Sequence, residues 1–287
     1  MPTPTPAITT PDRTRSDVTA SEIIAESTAA ERPASVSTAI PTTTDESVAG
    51  PTGVTLPLPP LAEQAERLVA LGVPELAGIT PEDLRSHARR LAATLASATS
   101  PAGPAADAPD RALLVVHPAA VPAADLAPLL EHAGKPGFVV VDMTDLAEFV
   151  PIDGIDLPGG PLYLVTDPER GDELRNWSPD EALPEIRGGG RTPLTVWEGI
   201  SWLLQQPERL EANRCFMTIG SRRPKKGGRG GLDARTPALW ISGGTGRDGR
   251  ECRDAPKVGW CWAGNRHTWL GFASAAARIG RAAARIG

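Results

Sequence analysis

The sequence lacks aromatic residues over its first 137 positions, since the first one is Phe138. All of its 4 Phe, 7 Trp and 1 Tyr therefore lie at or beyond that position. The first 57 residues instead contain 13 Thr, 8 Pro, 8 Ala and 6 Ser. Such a segment cannot bury enough apolar surface to offset the entropy of ordering its chain. We therefore expect a disordered arm over residues 1–57 and a hydrophobic core further along the chain.

Cysteines and long apolar runs are also scarce. The chain has three cysteines, Cys215, Cys252 and Cys261, and an odd number argues against a disulfide scaffold and for a reducing compartment. The N-terminus lacks the apolar run of a secretion signal, and nowhere do 18 apolar residues follow one another. These absences predict a cytoplasmic protein that has no membrane partner.

Charge is distributed unevenly behind the net value of -6. Residues 1–60 carry 3 basic and 7 acidic groups, residues 61–208 carry 10 and 23, and residues 209–287 carry 16 and 5. A separation of this size within one chain creates a directional field. It leaves two interpretations open: the basic end binds an acidic ligand, or it pairs internally with the acidic middle.

The first folded element is predicted to be a helical hairpin over residues 58–98. Thr80 and Pro81 form an N-cap followed by a proline at the first helical position, and leucines then recur at helical spacing. The composition of residues 99–110 is typical of a linker. A folded domain is expected over residues 111–272.

This domain is predicted to be α/β or α+β, with a mixed sheet of about six strands. Short β-branched runs alternate with helical segments at first, which favours strands joined by crossover helices. Three later runs separated by glycine-rich loops favour an antiparallel meander. The strands are predicted at 112–116, 138–143, 162–166, 215–219, 238–242 and 258–263, and two helices are predicted to start at 179 and 193.

The remaining residues, 273–287, form a basic, alanine-rich tail that contains AAARIG twice. Arg278, Arg281 and Arg285 would share one face of a helix there, although two glycines weaken that helix.

The most distinctive segment is SRRPKKGGRGGLD at residues 221–233. Its glycines let backbone amides approach a ligand and its cations neutralise phosphate, which is what an anion-binding loop requires. The same composition also suits a solvated, mobile loop. In the meander, this loop and the turn at residues 265–267 emerge at the same end of the sheet.

These observations define a candidate ligand-binding cluster. Trp269 is included as a surface on which a base could stack, whereas Trp260 and Trp262 are interpreted as core side chains because they share a strand face with Val258. The cluster consists of Arg222, Arg223, Lys225, Lys226, Arg229, Asn265, Arg266, His267 and Trp269.

Metal and cofactor sites receive little support from the sequence. Cys215, Cys252, Cys261 and His267 have the composition of a zinc set, but the meander separates them along the sheet. The G-x-G-x-x-G match at residues 244–249 has no following helix to receive a pyrophosphate. We therefore predict neither a metal nor a cofactor.

Catalytic groups are equally sparse. Cys261 or Cys215 could form a thiolate with a histidine such as His267, and Asp233 and Glu198 are further titratable candidates. No two of these residues stand at a spacing that compels chemistry. No catalytic residue is assigned, and a binding domain is favoured over an enzyme.

Four segments carry a resemblance to a known family. They are TPLTVWEGISW at 192–202, CFMTIGS at 215–221, TPALWISG at 236–243 and GWCWAGNRHTWLG at 259–271. The chain resembles, over roughly residues 58–272, an actinobacterial domain family that has no assigned function. The resemblance implies a cytoplasmic domain and supplies no activity, cofactor or catalytic residue.

The sequence thus supports three hypotheses about function. The first is a binding domain for a phosphate-bearing ligand or single-stranded nucleic acid at the basic, glycine-rich loop. The second is a protein-interaction or tethering module that acts through residues 1–57. The third is a thiol-dependent enzyme.

Overall fold

The computed structural model describes residues 57–98, 111–225 and 231–282. The predicted linker at 99–110 and all but the last residue of the predicted arm at 1–57 lie outside these ranges, as do Lys226, Arg229 and Arg285. None of the helices in the described ranges has the length and apolar character needed to cross a membrane.

The fold is mixed α/β, with a helical region that precedes the sheets, as predicted. The helices are α1 (Leu61–Ala70), α2 (Val73–Ala77), α3 (Pro81–Ala98), α4 (Ala123–Leu126), α5 (Pro179–Gly188) and α6 (Val196–Gln205). The cap predicted for α3 is present, because the Asp83 amide donates to Thr80 Oγ1 at 3.1 Å.

The strands divide into two principal sheets. A three-stranded antiparallel sheet has the order β1 (Ala112–Val116), β6 (Gly159–Thr166), β14 (Ala277–Arg281). A five-stranded mixed sheet has the order β12 (Leu270–Phe272), β8 (Cys215–Met217), β10 (Arg235–Ile241), β11 (Pro256–Trp262), β4 (Phe138–Val139). The short pairs are β2 (Glu131–His132) with β3 (Lys135–Pro136), β5 (Val150–Pro151) with β9 (Ser221–Arg222), and β7 (Thr192–Pro193) with β13 (Ser274–Ala275).

The predicted meander is confirmed, since β8, β10 and β11 are consecutive antiparallel neighbours. The earlier strands pair differently from a crossover unit. Strand β1 is antiparallel to β6, and β4 joins the other sheet parallel to β11.

Helix α6 lies between the two sheets and is buried along its whole length. A Cβ atom at Gly199 would lie 2.5 Å from Thr218 Cγ2 and 2.9 Å from Leu239 Cδ1. Glycine therefore permits the close approach of this helix to the five-stranded sheet.

The predicted start of this helix at residue 193 is wrong. Thr192 and Pro193 form strand β7, and the helix begins after Thr195. Thr195 and Glu198 form a capping box, in which each side chain binds the other residue's backbone amide. The Ser178 cap of α5 is as predicted and forms the same motif with Glu181.

The outer edge of β1 is capped by two buried side chains. Gln64 Oε1 accepts from the Leu114 amide at 2.7 Å, and its Nε2 donates to the Ala112 carbonyl at 2.8 Å. The Val116 amide donates to Ser201 Oγ at 3.2 Å. Helices α1 and α6 thereby satisfy backbone groups that an edge strand leaves unpaired.

The helix predicted for the tail is wrong over residues 277–281, which form strand β14. Its Arg278 reaches the buried carboxylate of Glu198, with Nε to Oε1 at 2.6 Å and Nη2 to Oε2 at 2.7 Å. Tyr163 Oη also donates to Oε1, at 2.9 Å. Because Glu198 is fully buried, this ion pair fixes the last strand against helix α6.

We expect Arg278→Ala to reduce the free energy of unfolding by about 3–5 kcal/mol, because it leaves the Glu198 carboxylate buried without its cation. Arg281→Ala removes an exposed cation from the same strand and should change stability by at most about 0.5 kcal/mol. Urea unfolding at pH 7 measures both. Equal stability of the two variants would contradict a stabilising role for the pair.

Candidate functional site

The distinctive basic segment forms a hairpin between β9 and β10. Pro224 and Leu232 pair as an antiparallel bridge. The Lys225 amide donates to the Gly231 carbonyl at 3.0 Å, and the Asp233 amide donates to the Arg223 carbonyl at 2.7 Å. Residues 223–233 are called the basic hairpin below. The structure describes its stem as far as Lys225 and from Gly231 onward.

Arg222 lies directly before the stem and is buried, with 8% of its side chain exposed. Its Nη2 donates to the Asp233 carbonyl at 2.7 Å, and its Nη1 lies 3.9 Å from Asp180 Oδ1. Burial lowers the pKa of this guanidinium. Arg222 therefore stabilises the base of the hairpin, and its side chain is too buried to contact a ligand.

Arg223 belongs to a network of carboxylates and guanidinium groups at the stem. Arg235 binds Asp145 through two hydrogen bonds, with Nη1 to Oδ1 at 3.0 Å and Nη2 to Oδ2 at 2.6 Å. Arg223 contacts the same carboxylate, and its Nε lies 3.4 Å from Asp233 Oδ2 and 3.7 Å from Glu148 Oε2. The charge of Arg223 is thus neutralised within the fold.

The network favours the ionised forms of Asp145 and Asp233. Hydrogen bonds from Arg235 and Arg223 hold the pKa of Asp145 below its usual value. Burial alone would raise the pKa of Asp233, but hydrogen bonds from Arg235 and the charge of Arg223 lower it. The same carboxylates raise the pKa of Arg235.

The turn after β11 lies at the same end of the sheet, as the meander requires. The Ala263 amide donates to the Ala234 carbonyl at 2.7 Å, and the exposed Asn265 amide donates to the Trp262 carbonyl at 3.0 Å. Arg266 contacts Glu181, and its Nη1 donates to the Asn176 carbonyl at 3.2 Å.

His267 and Trp269 lie further round this turn and contact each other, with ring centroids 5.4 Å apart. Burial lowers the pKa of His267, and its Nε2 has no partner among the described residues. Trp269 also packs against Trp240 at 6.2 Å, and the Lys257 ammonium lies 4.7 Å from the Trp240 ring centroid.

Trp269 and the hairpin stem are associated with opposite faces of the sheet. Trp240, which contacts Trp269, pairs with Lys257, whereas Arg235 pairs with Trp262. Residues 235 and 240 are five positions apart in one strand, so their side chains point to opposite faces.

Sequence reasoning misjudged the two tryptophans on the face of Arg235. Trp260 and Trp262 are half-buried, with rings edge to face and centroids 4.7 Å apart. The Arg235 guanidinium lies 5.7 Å from the Trp260 ring centroid and 5.3 Å from that of Phe149. The position of Trp262 at the end of its strand, next to a Gly-Asn turn, was the available signal for partial exposure.

Many cations of the basic end bind carboxylates of the acidic middle. In each such ion pair, the arginine comes from residues 209–287 and the acid from residues 61–208. The pairs are Arg214–Asp172, Arg222–Asp180, Arg223–Asp145, Arg223–Glu148, Arg235–Asp145, Arg247–Asp142, Arg266–Glu181 and Arg278–Glu198. The basic end and the acidic middle therefore neutralise part of each other's charge within the fold.

The cysteines and carboxylates considered for catalysis lie in separate environments, either desolvated or bound to an arginine. Desolvation raises the pKa of the Cys215 thiol to about 11 and that of the Cys261 thiol to about 12. Glu198 is bound by Arg278, and Asp233 by Arg235. Within the described ranges, no three His, Cys, Asp or Glu side chains are grouped so that they could hold a metal ion.

An open cleft of about 610 Å³, which sequence reasoning missed, is lined by Arg67, Glu131, His132, Glu208 and Glu211, among others. Its carboxylates make it unfavourable for a phosphate-bearing ligand. The lining comes from three distant segments, so no spacing in the sequence could have indicated it.

The described residues form a mixed α/β fold in which the stem of a basic hairpin lies at one end of the larger sheet. The chain belongs to a family of unknown function, DUF5701, which matches residues 67–281. This match confirms the resemblance to a family without an assigned function, and it extends to the end of β14. No curated protein and no solved structure matches the chain significantly.

The stem network predicts a loss of stability in acid. A carboxyl group whose pKa is lower in the folded than in the unfolded chain stabilises the fold above its unfolded pKa, about 3.9 for aspartate, and this contribution is lost as the pH falls through the folded value. At pH 7, Asp145→Asn should reduce the free energy of unfolding by about 1–3 kcal/mol. The difference from wild type should shrink below about pH 4.

Urea unfolding at pH 7 and pH 3 tests this prediction. Asp125→Asn is the control, because Asp125 is exposed and forms no ion pair with another described residue. A difference between wild type and Asp145→Asn that stays constant with pH would contradict the ionised role of Asp145.

The raised pKa values of Cys215 and Cys261 predict slow alkylation of both thiols, because the thiolate is the reactive form. At pH 7.5, iodoacetamide should modify Cys252 at least about tenfold faster than either of them, since thiolate population falls tenfold per pKa unit and nucleophilicity recovers only part of that. Mass spectrometry of the three peptides over time gives the rates. Reaction of Cys215 or Cys261 faster than free cysteine would instead support the hypothesis of a thiol-dependent enzyme.

Proposed function

We propose that this chain is a binding domain that holds a phosphate-bearing polyanion at the tip of the basic hairpin. The tip carries Lys225, Lys226 and Arg229, interspersed with four glycines at 227, 228, 230 and 231. Cations neutralise phosphate charge, and glycines let backbone amides come close to its oxygens. The tip therefore has both kinds of group that an anion site needs.

The observation that carries the proposal is the division of the hairpin into a neutralised stem and a cationic tip. Arg222 and Arg223 are bound to carboxylates at the stem. Lys225 is exposed, and no carboxylate among the described residues lies within 4 Å of its ammonium. The stem thus positions Lys225, whose ammonium is left to bind an anion, and Lys226 and Arg229 follow it in the sequence.

The other residues of the predicted cluster take different parts in this proposal. Arg222 and Arg223 position the hairpin. Asn265 and Arg266 lie beside the stem at the same end of the sheet and would meet the ligand at its margin. Trp269 packs against His267 and Trp240 on the sheet face opposite Arg235, and the proposal requires neither Trp269 nor His267.

Several finer expectations from the sequence remain predictions. They include a cytoplasmic location, an actinobacterial origin and a partner-binding role for residues 1–57. Raised thiol pKa values and separated titratable groups argue for binding over catalysis.

We expect the substitution Lys225→Ala/Lys226→Ala/Arg229→Ala to weaken binding of a fluorescein-labelled oligothymidylate most strongly at low salt. Each lost phosphate contact on a single strand lowers the slope of log affinity against log salt by about 0.7. Loss of three contacts should therefore reduce the slope by about 2. Fluorescence anisotropy between 20 and 200 mM salt, roughly the range in which such effects are large, provides the measurement.

The matched control is Arg247→Ala/Arg250→Ala/Arg253→Ala. It removes the same charge from exposed residues in the loop between β10 and β11, at the opposite end of the sheet. The control should leave the salt slope almost unchanged. Equal losses in the two triple variants, or no binding by wild type at low salt, would refute the proposed site.

A further inference from the structure

The feature behind this inference is a pair of half-buried tryptophans, Trp260 and Trp262, in the second half of β11. We infer that the two rings form a docking site for a proline-rich segment of a partner protein, bound in the polyproline II conformation. This inference goes beyond the proposed function, because it concerns other residues and an uncharged class of ligand. Aromatic-lined sites bind such segments because a polyproline II helix is already ordered before it binds.

The two rings are arranged as a corner. Their centroids are 4.7 Å apart and their planes are inclined by 73°, so that the edge of one ring meets the face of the other. A nucleic acid base binds by stacking on a flat aromatic face. A corner instead suits a compact, non-planar group, such as the pyrrolidine ring of proline.

The indole N–H groups of this pair are available to a ligand. The tryptophans of α6 use theirs inside the fold: Trp197 Nε1 donates to the Val121 carbonyl at 3.0 Å. Trp202 Nε1 likewise donates to Gln206 Oε1 at 3.0 Å. Neither nitrogen of the β11 pair donates to a described residue or belongs to the buried polar atoms without a partner, so both reach solvent. The carbonyl groups of a polyproline II segment make no internal hydrogen bonds and can accept from these donors.

The charges beside the rings favour an uncharged ligand over a polyanion. The neighbouring ion-pair network comprises Arg223, Arg235, Asp145, Asp233 and Glu148. Its three carboxylates outnumber its two guanidinium groups, so it does not attract phosphate. Proline residues carry no charge, and the network does not oppose their approach.

The rings are held in place before a ligand binds. Trp260 packs against the hydrophobic core, and Trp262 contacts Trp260. The Arg235 guanidinium lies 5.7 Å from the centroid of the Trp260 ring and 5.3 Å from that of the Phe149 ring. Because this support is already present, docking of a preformed segment would order few side chains of the protein, and the entropic cost of binding would be small.

The experiment measures binding of dye-labelled decaproline to the full chain by fluorescence anisotropy. Its mirror image, made of D-proline, has the same composition and the opposite helical hand, so it is the control ligand. Trp262→Leu removes the ring and the N–H group, whereas Trp262→Phe keeps a ring and removes only the N–H group. Trp177→Leu is the matched control, because Trp177 is 36% exposed and its ring contacts no other ring among the described residues. Urea unfolding reports whether each variant is folded.

We expect wild type to bind L-decaproline saturably and independently of salt between about 20 and 200 mM, since no phosphate is neutralised. Trp262→Leu should weaken binding at least about tenfold, as truncation of a central aromatic residue does in other interfaces. Trp262→Phe should weaken it about twofold to tenfold, which corresponds to one lost hydrogen bond, and it remains informative if the leucine variant does not fold. Trp177→Leu should match wild type, and the D-peptide should bind at least about tenfold more weakly.

Three results would overturn the inference. The first is the absence of saturable binding of L-decaproline by wild type up to about 1 mM, where the binding free energy is already small. The second is equal binding of the two mirror-image peptides, which would show a contact that does not depend on the polyproline II helix. The third is wild-type affinity in both Trp262→Leu and Trp262→Phe, which would place the peptide elsewhere on the protein.

Discussion

The ion pair between Glu198 and Arg278 is the interaction on which the rest of the structure depends. Glu198 caps the helix that separates the two sheets, and Arg278 belongs to the last strand of the smaller sheet. Two charges in a dry interior are tolerated only when their remaining donors and acceptors are also satisfied. Here Thr192, Pro193, Thr195 and Tyr163 complete the set. This single ion pair therefore links helix α6 to the last strand of the smaller sheet.

Ion pairs nearer the surface also join the acidic middle of the chain to its basic end. The network of Asp145, Asp233, Arg223 and Arg235 is the densest example. Such pairing stabilises little when it is fully exposed, but these side chains are mostly covered, which reduces screening by water and salt. The network also separates structural cations from those left for binding. A count of basic residues would overestimate the binding surface, because it includes the arginines of the stem.

Local signals in the sequence were sufficient for much of the fold. The strands of the meander are short apolar runs separated by glycine-rich loops, and Ser178 is followed by proline and an acidic turn, so both follow from neighbouring residues alone. The start of α6 was misplaced because Thr192-Pro193 imitates a cap three residues before the true one at Thr195. The capping box with Glu198 was visible in the sequence and was the better signal.

The tail and the candidate site depended on contacts that no local pattern reveals. The segment AAARIG has helical propensity, yet Arg278 is drawn into a strand by a carboxylate far away in the chain. Likewise, nothing near Arg222 or Arg223 indicates that Asp180 and Asp145 neutralise them. The sequence could locate the basic hairpin and the end of the sheet that carries it. It could not assign which cations support the fold and which remain for a ligand.

The position of strand β14 has a consequence for how the protein is made on the ribosome. Glu198 and Arg278 are 80 residues apart in the chain. At roughly 5–20 residues per second, a ribosome needs several seconds to synthesise the intervening segment. During that time, helix α6 cannot bury Glu198 against the sheet without leaving an uncompensated charge. The nascent chain must therefore keep this apolar helix only loosely packed until β14 has been synthesised, and during that interval chaperones have time to bind.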